Sequence, residues 1–178
     1  MPTIDRPGMA AGYGLLPENE GKGLLPWSWV AERLERSRNY WIATTRPDGR
    51  PHVMPVWGVW MEDAVYFGTD PASVKGRNLA ANPAIAVHLE SGDEAVVLEG
   101  RAETVTDRSV LARLYQLYGA KYDIQLGPQQ PDDPGDYPYT LRLRPQRALA
   151  WLESDFPGTA TRWRFGGEQE EEGGEQKV

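Results

Sequence analysis

Hydrophobic and polar positions along this chain follow two periods, and strand-like runs dominate. Tyr40 to Arg46 (YWIATTR) is rich in β-formers, and His52 to Met61 (HVMPVWGVWM) is apolar on both faces, as in a strand inside a barrel or sandwich. Pro47-Asp48-Gly49-Arg50 between them reads as a hairpin turn. Glu62-Asp63 reads as a second turn, leading into a strand from Ala64 to Gly68. Further strands are predicted at Ala84 to Glu90, Glu94 to Thr106 with a bulge or bend at Gly100, Tyr139 to Arg144, Ala148 to Leu152 and Thr161 to Phe165.

The helical period is confined to fewer segments. Ser28 is placed to cap a helix running to Arg38, with Val30 and Leu34 on one side. Asp70 at an N-cap and Pro71 at the first helical position open a second helix, which Asn82 and Pro83 stop. Asp107 caps a third, to Tyr122, whose Leu111, Leu114, Tyr115, Tyr118 and Tyr122 repeat at steps of three and four. Hairpin-linked strands with turn signals at short, regular spacing predict a mainly β fold. The expected architecture is a closed or nearly closed antiparallel barrel carrying helices on its outside.

The flanks lack either period. Residues 1–26 are rich in Gly and Pro and are expected to form an extended arm; residues 27–165 form the domain; residues 166–178 are expected to be a disordered acidic tail. Residues 123–138 hold four prolines and no period, the signature of a lid or an interface segment.

Composition changes this picture at a few points. The chain of 178 residues is 40% hydrophobic, enough for one core, and no apolar run reaches a membrane-span length. No secretory signal is visible, so a cytoplasmic setting is the default expectation. Cys is absent, which excludes disulfides, thiol nucleophiles and thiolate ligands. The net charge of −7 argues against nucleic acid as a partner, although the tail contributes −4 of it. His52 and His88 show no metal-ligand spacing, and no metal site is expected. No acid–base set stands out, so no catalytic residue is assigned; chemistry run by a cofactor needs few protein groups.

Two stretches suggest where such a cofactor would sit. In VYFGTDPASVKGRNLAANP, residues 65–83, Lys75 and Arg77 lie early in a helix, where a cation is unfavourable unless an anion joins it. Thr69 and Ser73 add hydroxyls, the Ser73 and Val74 N–H groups lie in the first turn, and Arg77 and Asn78 could flank a phosphate. A surface helix with solvated cations is the plainer alternative. The second stretch is the strand carrying Pro55, whose missing donor marks an edge or an interruption and leaves Met54, Val56 and Trp57 freer to meet a flat ring. Trp57, Trp60, Trp151 and Trp163 fall on predicted strands, as pocket walls or as core and interface anchors.

Three segments, in order, carry a family resemblance: ATTRPDGRPHVMPVWGVW (residues 43–60), VYFGTDPASVKGRNLAANPAIAVHL (65–89) and EAVVLEGRAETVTD (94–107). The chain resembles the pyridoxamine 5′-phosphate oxidase-like family of flavin-binding split barrels. The resemblance implies an antiparallel, Greek-key-like split β-barrel and a homodimer with cofactor grooves at the subunit interface. It implies that Pro55, Val56 and Trp57 line the cofactor ring and that Thr69, Ser73, Val74 and Lys75 hold phosphate. Trp151, Arg162 and Trp163 would be contributed by the partner subunit. The pattern departs from the oxidase itself: His52 to Gly58 has no cation, Glu94-Ala95 stands where the oxidase has Arg-Gln, and Ser73-Val74-Lys75 replaces Ser-Arg-Lys. The resemblance is therefore closer to the broad branch that uses FMN or the deazaflavin F420. The implied function is a hydride-transferring oxidoreductase acting on a small planar or unsaturated substrate. The alternative is a non-catalytic module of the same fold that binds a flavin, F420 or haem.

Overall fold

The structure is a computed structural model that describes residues 2–125, 127 and 138–166. Among these residues, nine antiparallel strands form one sheet. They are β1 (Thr3–Asp5), β2 (Asn39–Thr45), β3 (Pro51–Trp57), β4 (Val59–Met61), β5 (Ala64–Gly68), β6 (Ala84–His88), β7 (Glu94–Thr104), β8 (Thr140–Leu152) and β9 (Thr161–Arg164). The helices are α1 (Trp27–Arg36), α2 (Val74–Ala81), α3 (Arg108–Tyr122) and the short α4 (Phe156–Thr159).

Pairing runs β1-β9-β8-β7-β6-β2-β3, while β5 pairs with both β4 and β8. The ring is not closed by hydrogen bonds. β3 pairs with β2, then the chain passes Gly58 and continues as β4, which pairs with β5 instead. The barrel is thus split at Gly58, where the chain changes partner. Only glycine suits this point: a Cβ there would lie 2.8 Å from the Tyr40 ring and 2.9 Å from the Tyr66 carbonyl oxygen.

Alternation decides which side chains fill the barrel. Tyr40 and Ile42 of β2, Ile85 and Val87 of β6, and Val96 and Leu98 of β7 point inward and are buried. They meet Val65, Phe67, Leu141, Leu143 and Trp163, with Val30 and Leu34 of α1 packing on the same core. A second core lies under α3, where the Leu111, Leu114, Tyr115, Tyr118, Tyr122 stripe covers Val59, Met61, Ala64 and Tyr66. Asp107 caps α3 by accepting from the Ser109 and Val110 N–H groups at 2.8 and 3.2 Å.

Several local expectations need correction. Pro26, not Ser28, precedes α1, and it makes no side-chain cap. The two strands predicted around Pro145 are one, β8, because Pro145 falls where the β7–β8 register shifts between Glu99 and Gly100, so its missing donor breaks no ladder bond there. β3 is not a strand apolar on two packed faces: it is an edge whose Val53, Met54 and Trp57 are 44–46% exposed. Residues 2–26 hold little regular structure, yet the arm is built into the sheet. β1 pairs with β9, and the Arg6 guanidinium donates to the carbonyls of Leu16, Gly158 and Ala160 at 2.9–3.2 Å. Most of the 123–138 loop and nearly all of the acidic tail lie outside the described residues.

Candidate functional site

The turn between β5 and α2 is built from a short sequence of local bonds. Asp70 does not cap the helix. Its carboxylate accepts from the Ala72 N–H at 2.7 Å and its carbonyl accepts from the Ser73 N–H at 2.9 Å, closing a turn that delays the helix by three residues. Ser73 is the cap, accepting from the Gly76 N–H at 3.0 Å. A Cβ on Gly76 would lie 2.4 Å from the Asp70 carbonyl oxygen, so only glycine lets the helix sit this close to its own turn.

This arrangement changes which of the predicted phosphate-binding groups are available. The Ser73 N–H is spent on Asp70, and the N–H groups of Val74 and Lys75 are the ones left without a partner among the described residues. The hydroxyls of Thr69 and Ser73 lie 3.0 Å apart. No carboxylate pairs with Lys75 among the described residues. Two free N–H groups at a helix start, an unpaired ammonium and two hydroxyls are a donor set that fits a phosphate. Arg77 is exposed and turns back to donate to the Ala72 carbonyl. Asn78 is turned inward, 3% exposed, and donates to Thr44 Oγ1 at 3.0 Å, so its side chain ties α2 to β2 rather than flanking the turn.

Next to this turn lies a groove of about 470 Å³. It is walled by Trp57, Thr69, Pro71, Tyr115, Tyr118 and Tyr139. Trp57 stacks on Tyr122 with ring centroids 4.5 Å apart and planes within 9°. Pro55 is exposed on β3, and Val56 points into the barrel, 9% exposed.

The backbone at the split is held by α3. Tyr118 donates to the Trp57 carbonyl at 2.8 Å, the Tyr122 hydroxyl accepts from the Gly58 N–H at 2.9 Å, and Lys121 donates to the Gly58 carbonyl at 2.7 Å. Three side chains thus take the place of strand partners. Burial, with the Arg38 charge second, pushes the Lys121 ammonium down to about 8. Burial raises the Tyr115, Tyr118 and Tyr122 phenols above their ordinary range, so they remain hydrogen-bond donors.

The C-terminal candidates separate. Trp163 is fully buried in its own barrel and packs on Trp27 at 5.6 Å, which leaves it out of reach of a second subunit. Arg162 is bound by Asp5 through two bonds of 2.9 and 3.0 Å. Trp151 is half-buried on β8, edge-on to Phe156. Trp60 packs against the core beside Trp27. Both histidines are hydrogen-bonded: His52 Nδ1 lies 3.5 Å from Thr44 Oγ1 and His88 Nδ1 lies 2.8 Å from the Leu89 carbonyl. The described residues contain no acidic or histidine cluster able to hold a metal, and no helix long and apolar enough to cross a membrane.

The outer wall of the barrel carries one further pattern. Direct register partners place Pro55, Trp41, His88, Val97 and Leu149 in a single row across five strands. Trp41 and His88 stack with planes 5° apart. A groove wall of Tyr115, Tyr118 and Tyr139 was not legible from the sequence, where the first two belong to the buried stripe of a helix. The signal was their hydroxyls, which need partners wherever they are buried.

The antiparallel barrel, split at Gly58 and followed by the β5–α2 strand–turn–helix, defines a class of fold. Within it, the chain belongs to the pyridoxamine 5′-phosphate oxidase family, whose model matches residues 29–152. Among solved structures, the conserved hypothetical protein Rv2991 from Mycobacterium tuberculosis is similar at a TM-score of 0.60 and 24% identity, covering 72% of this chain and 85% of its own. A protein described as an F420 reductase is 28% identical at a TM-score of 0.51, over 66% of this chain and 93% of its own. A FAD-binding protein from Mesorhizobium loti aligns at 0.54 and 20% identity, over 79% and 96%. No curated protein matches the sequence.

Proposed function

We propose that this protein is an FMN- or F420-dependent oxidoreductase that moves hydride to or from a small planar, unsaturated substrate, and that it works as a homodimer. The observation that carries the reading is the donor set at the start of α2: two free N–H groups, the unpaired Lys75 and the Thr69 and Ser73 hydroxyls. Family membership and the likeness to an F420 reductase support the same cofactor classes. The bound cofactor would supply the hydride chemistry. The chain's own residues would do the rest. Val74 and Lys75 hold the phosphate through backbone and ammonium donors. The exposed edge of β3, with Pro55 removing one donor, gives a flat ring a backbone to lie along. The row from Pro55 to Leu149, apolar except for His88, supplies a face for a second copy, which would cover that edge and exclude water from the groove.

The test is direct. The purified protein is titrated with FMN and with F420, following tryptophan fluorescence. Binding tighter than about 100 μM, roughly −5.5 kcal/mol, is expected for one of them, and failure of both to bind removes the reading. Tight binding with no turnover over a broad panel of quinones and enones would make the protein a cofactor-binding module instead.

A further inference from the structure

The β7–β8 ladder carries an uneven charge pattern on its outer face. Direct register partners there are Glu99 with Arg147, Arg101 with Arg144, and Glu103 with Arg142. The first and third rungs are matched: Arg147 donates to Glu99 at 2.6 Å and Arg142 to Glu103 at 2.8 Å. The middle rung sets two arginines opposite each other. Both are exposed, and like charges directly across a ladder oppose its pairing. Among the described residues neither has a carboxylate partner. Arg144 donates to the Glu62 carbonyl at 3.0 Å, and the neighbouring carboxylates are engaged by their own arginines. A carboxylate is the group that such a rung lacks.

The chain brings carboxylates to this place. β9 pairs with β8 as far as Arg164, and the Phe165 N–H donates at 2.8 Å to the carbonyl of Gln146, two residues from Arg144. Glu168, Glu170, Glu171 and Glu172 follow two to six residues beyond Gly166, a reach of about 7–20 Å. Arg101 lies one strand spacing, about 5 Å, past Arg144. We propose that the Arg101–Arg144 rung is a carboxylate-binding site and that the glutamates of residues 168–172 occupy it within the same chain. Each exposed ion pair is weak alone. Tethering offsets this: at an effective concentration of about 1 mM, a docking constant of about 1 mM fills the site about half the time. The docked tail neutralises the rung and masks it from other acidic peptides.

The chain has no Cys, so Gly174→Cys carries a nitroxide at a single site on the full chain. At low salt the amide signals of positions 101 and 144 are expected to lose more than about half their intensity, as that occupancy implies. They are expected to recover at about 0.5 M NaCl, where the screening length is about 4 Å, and in Arg101→Gln combined with Arg144→Gln. Changing Glu168, Glu170, Glu171 and Glu172 to Gln is expected to restore them too, which keeps the test if the arginine variant does not fold. Thermal melts give a readout free of the label. With those four glutamates changed, Arg101→Gln is expected to raise the melting temperature, because it relieves the like-charge rung; with the native tail the rise is smaller or becomes a fall. Equal shifts in the two backgrounds, or signals at positions 101 and 144 untouched by the nitroxide at low salt, overturn the proposal. So does broadening that survives the folded arginine variant or that centres on Lys75. Broadening as strong in an isotope-labelled copy without nitroxide, mixed with a spin-labelled copy, places the tail on a second chain and overturns docking within one.

Discussion

Lys75 and Asn78 lie three positions apart on the same short helix and have separable jobs. Lys75 has no acidic partner among the described residues, so its charge is available to a ligand. Asn78 is buried, and its amide makes the shortest contact to the Thr44 hydroxyl, 3.0 Å against 3.4 and 3.5 Å to His52. Lys75→Ala is expected to weaken the bound cofactor by about 1.5–3 kcal/mol, read by fluorescence titration, with no change in the denaturation midpoint. Asn78→Ala is expected to do the reverse at first order. It leaves the buried Thr44 hydroxyl with only its longer contacts to His52, 3.4 and 3.5 Å, at a cost of about 0.5–1.5 kcal/mol read by urea denaturation. The sequence made the neighbourhood of Lys75 legible because a cation in the first turn of a helix is electrically misplaced. It could not assign Asn78, since an asparagine one turn further on looks the same whether it faces a ligand or a strand.

At the scale of the element, α3 is more than a lid over the second core. Its stripe was legible as period and predicted burial well. What the stripe could not show is that Tyr118, Lys121 and Tyr122 satisfy the backbone at Trp57 and Gly58, because that break between β3 and β4 exists only once the barrel has formed. Lys121 makes this clamp sensitive to pH. Its folded value is pushed down to about 8 from the ordinary 10.5, so between those values the unfolded chain binds more protons than the folded one. Stability due to Lys121 therefore rises as pH rises through about 8, the opposite of a lysine held by a carboxylate. Tyr40, Tyr122 and Arg38 face the same ammonium. The tyrosines oppose this trend from about pH 10, because burial raises their folded values above the ordinary 10. The melting temperature is expected to climb between about pH 8 and 10 in the native protein and to lose that slope in Lys121→Met. A native profile as flat as that of the variant would show that the ammonium is not desolvated.

For the molecule as a whole, the barrel was legible from hairpin signals and alternation, and the register across it was not. The row of Pro55, Trp41, His88, Val97 and Leu149 comes from five strands spread between residues 41 and 149, and no local pattern reports it. A second copy covering this row follows from the proposed homodimer. Sedimentation velocity is expected to give a dimer for the native chain. Val97→Glu, which sets a carboxylate between His88 and Leu149 in the row, is expected to raise the dissociation constant about 100-fold or more and to weaken the cofactor with it. A dimer unchanged by that substitution would place the contact elsewhere.

The pairing of β1 with β9 has a consequence for how the chain reaches this state. Asp5 waits for Arg162, 157 positions later, before its carboxylate has a partner. On a ribosome, residues 3–5 therefore emerge early and their strand partner emerges after the rest of the barrel has been made. The loop that this pairing closes is nearly as long as the described chain, so its entropy cost is high and its place in the folding order is late. Until then β9 has a free edge, open to a strand from another copy during synthesis. Once β1 has paired with β9, fastened by Arg6 on the carbonyls of Gly158 and Ala160, that edge is covered. The arm serves as the last fastening of a sheet that is otherwise complete, and the newly made chain is most exposed to misassembly just before it closes.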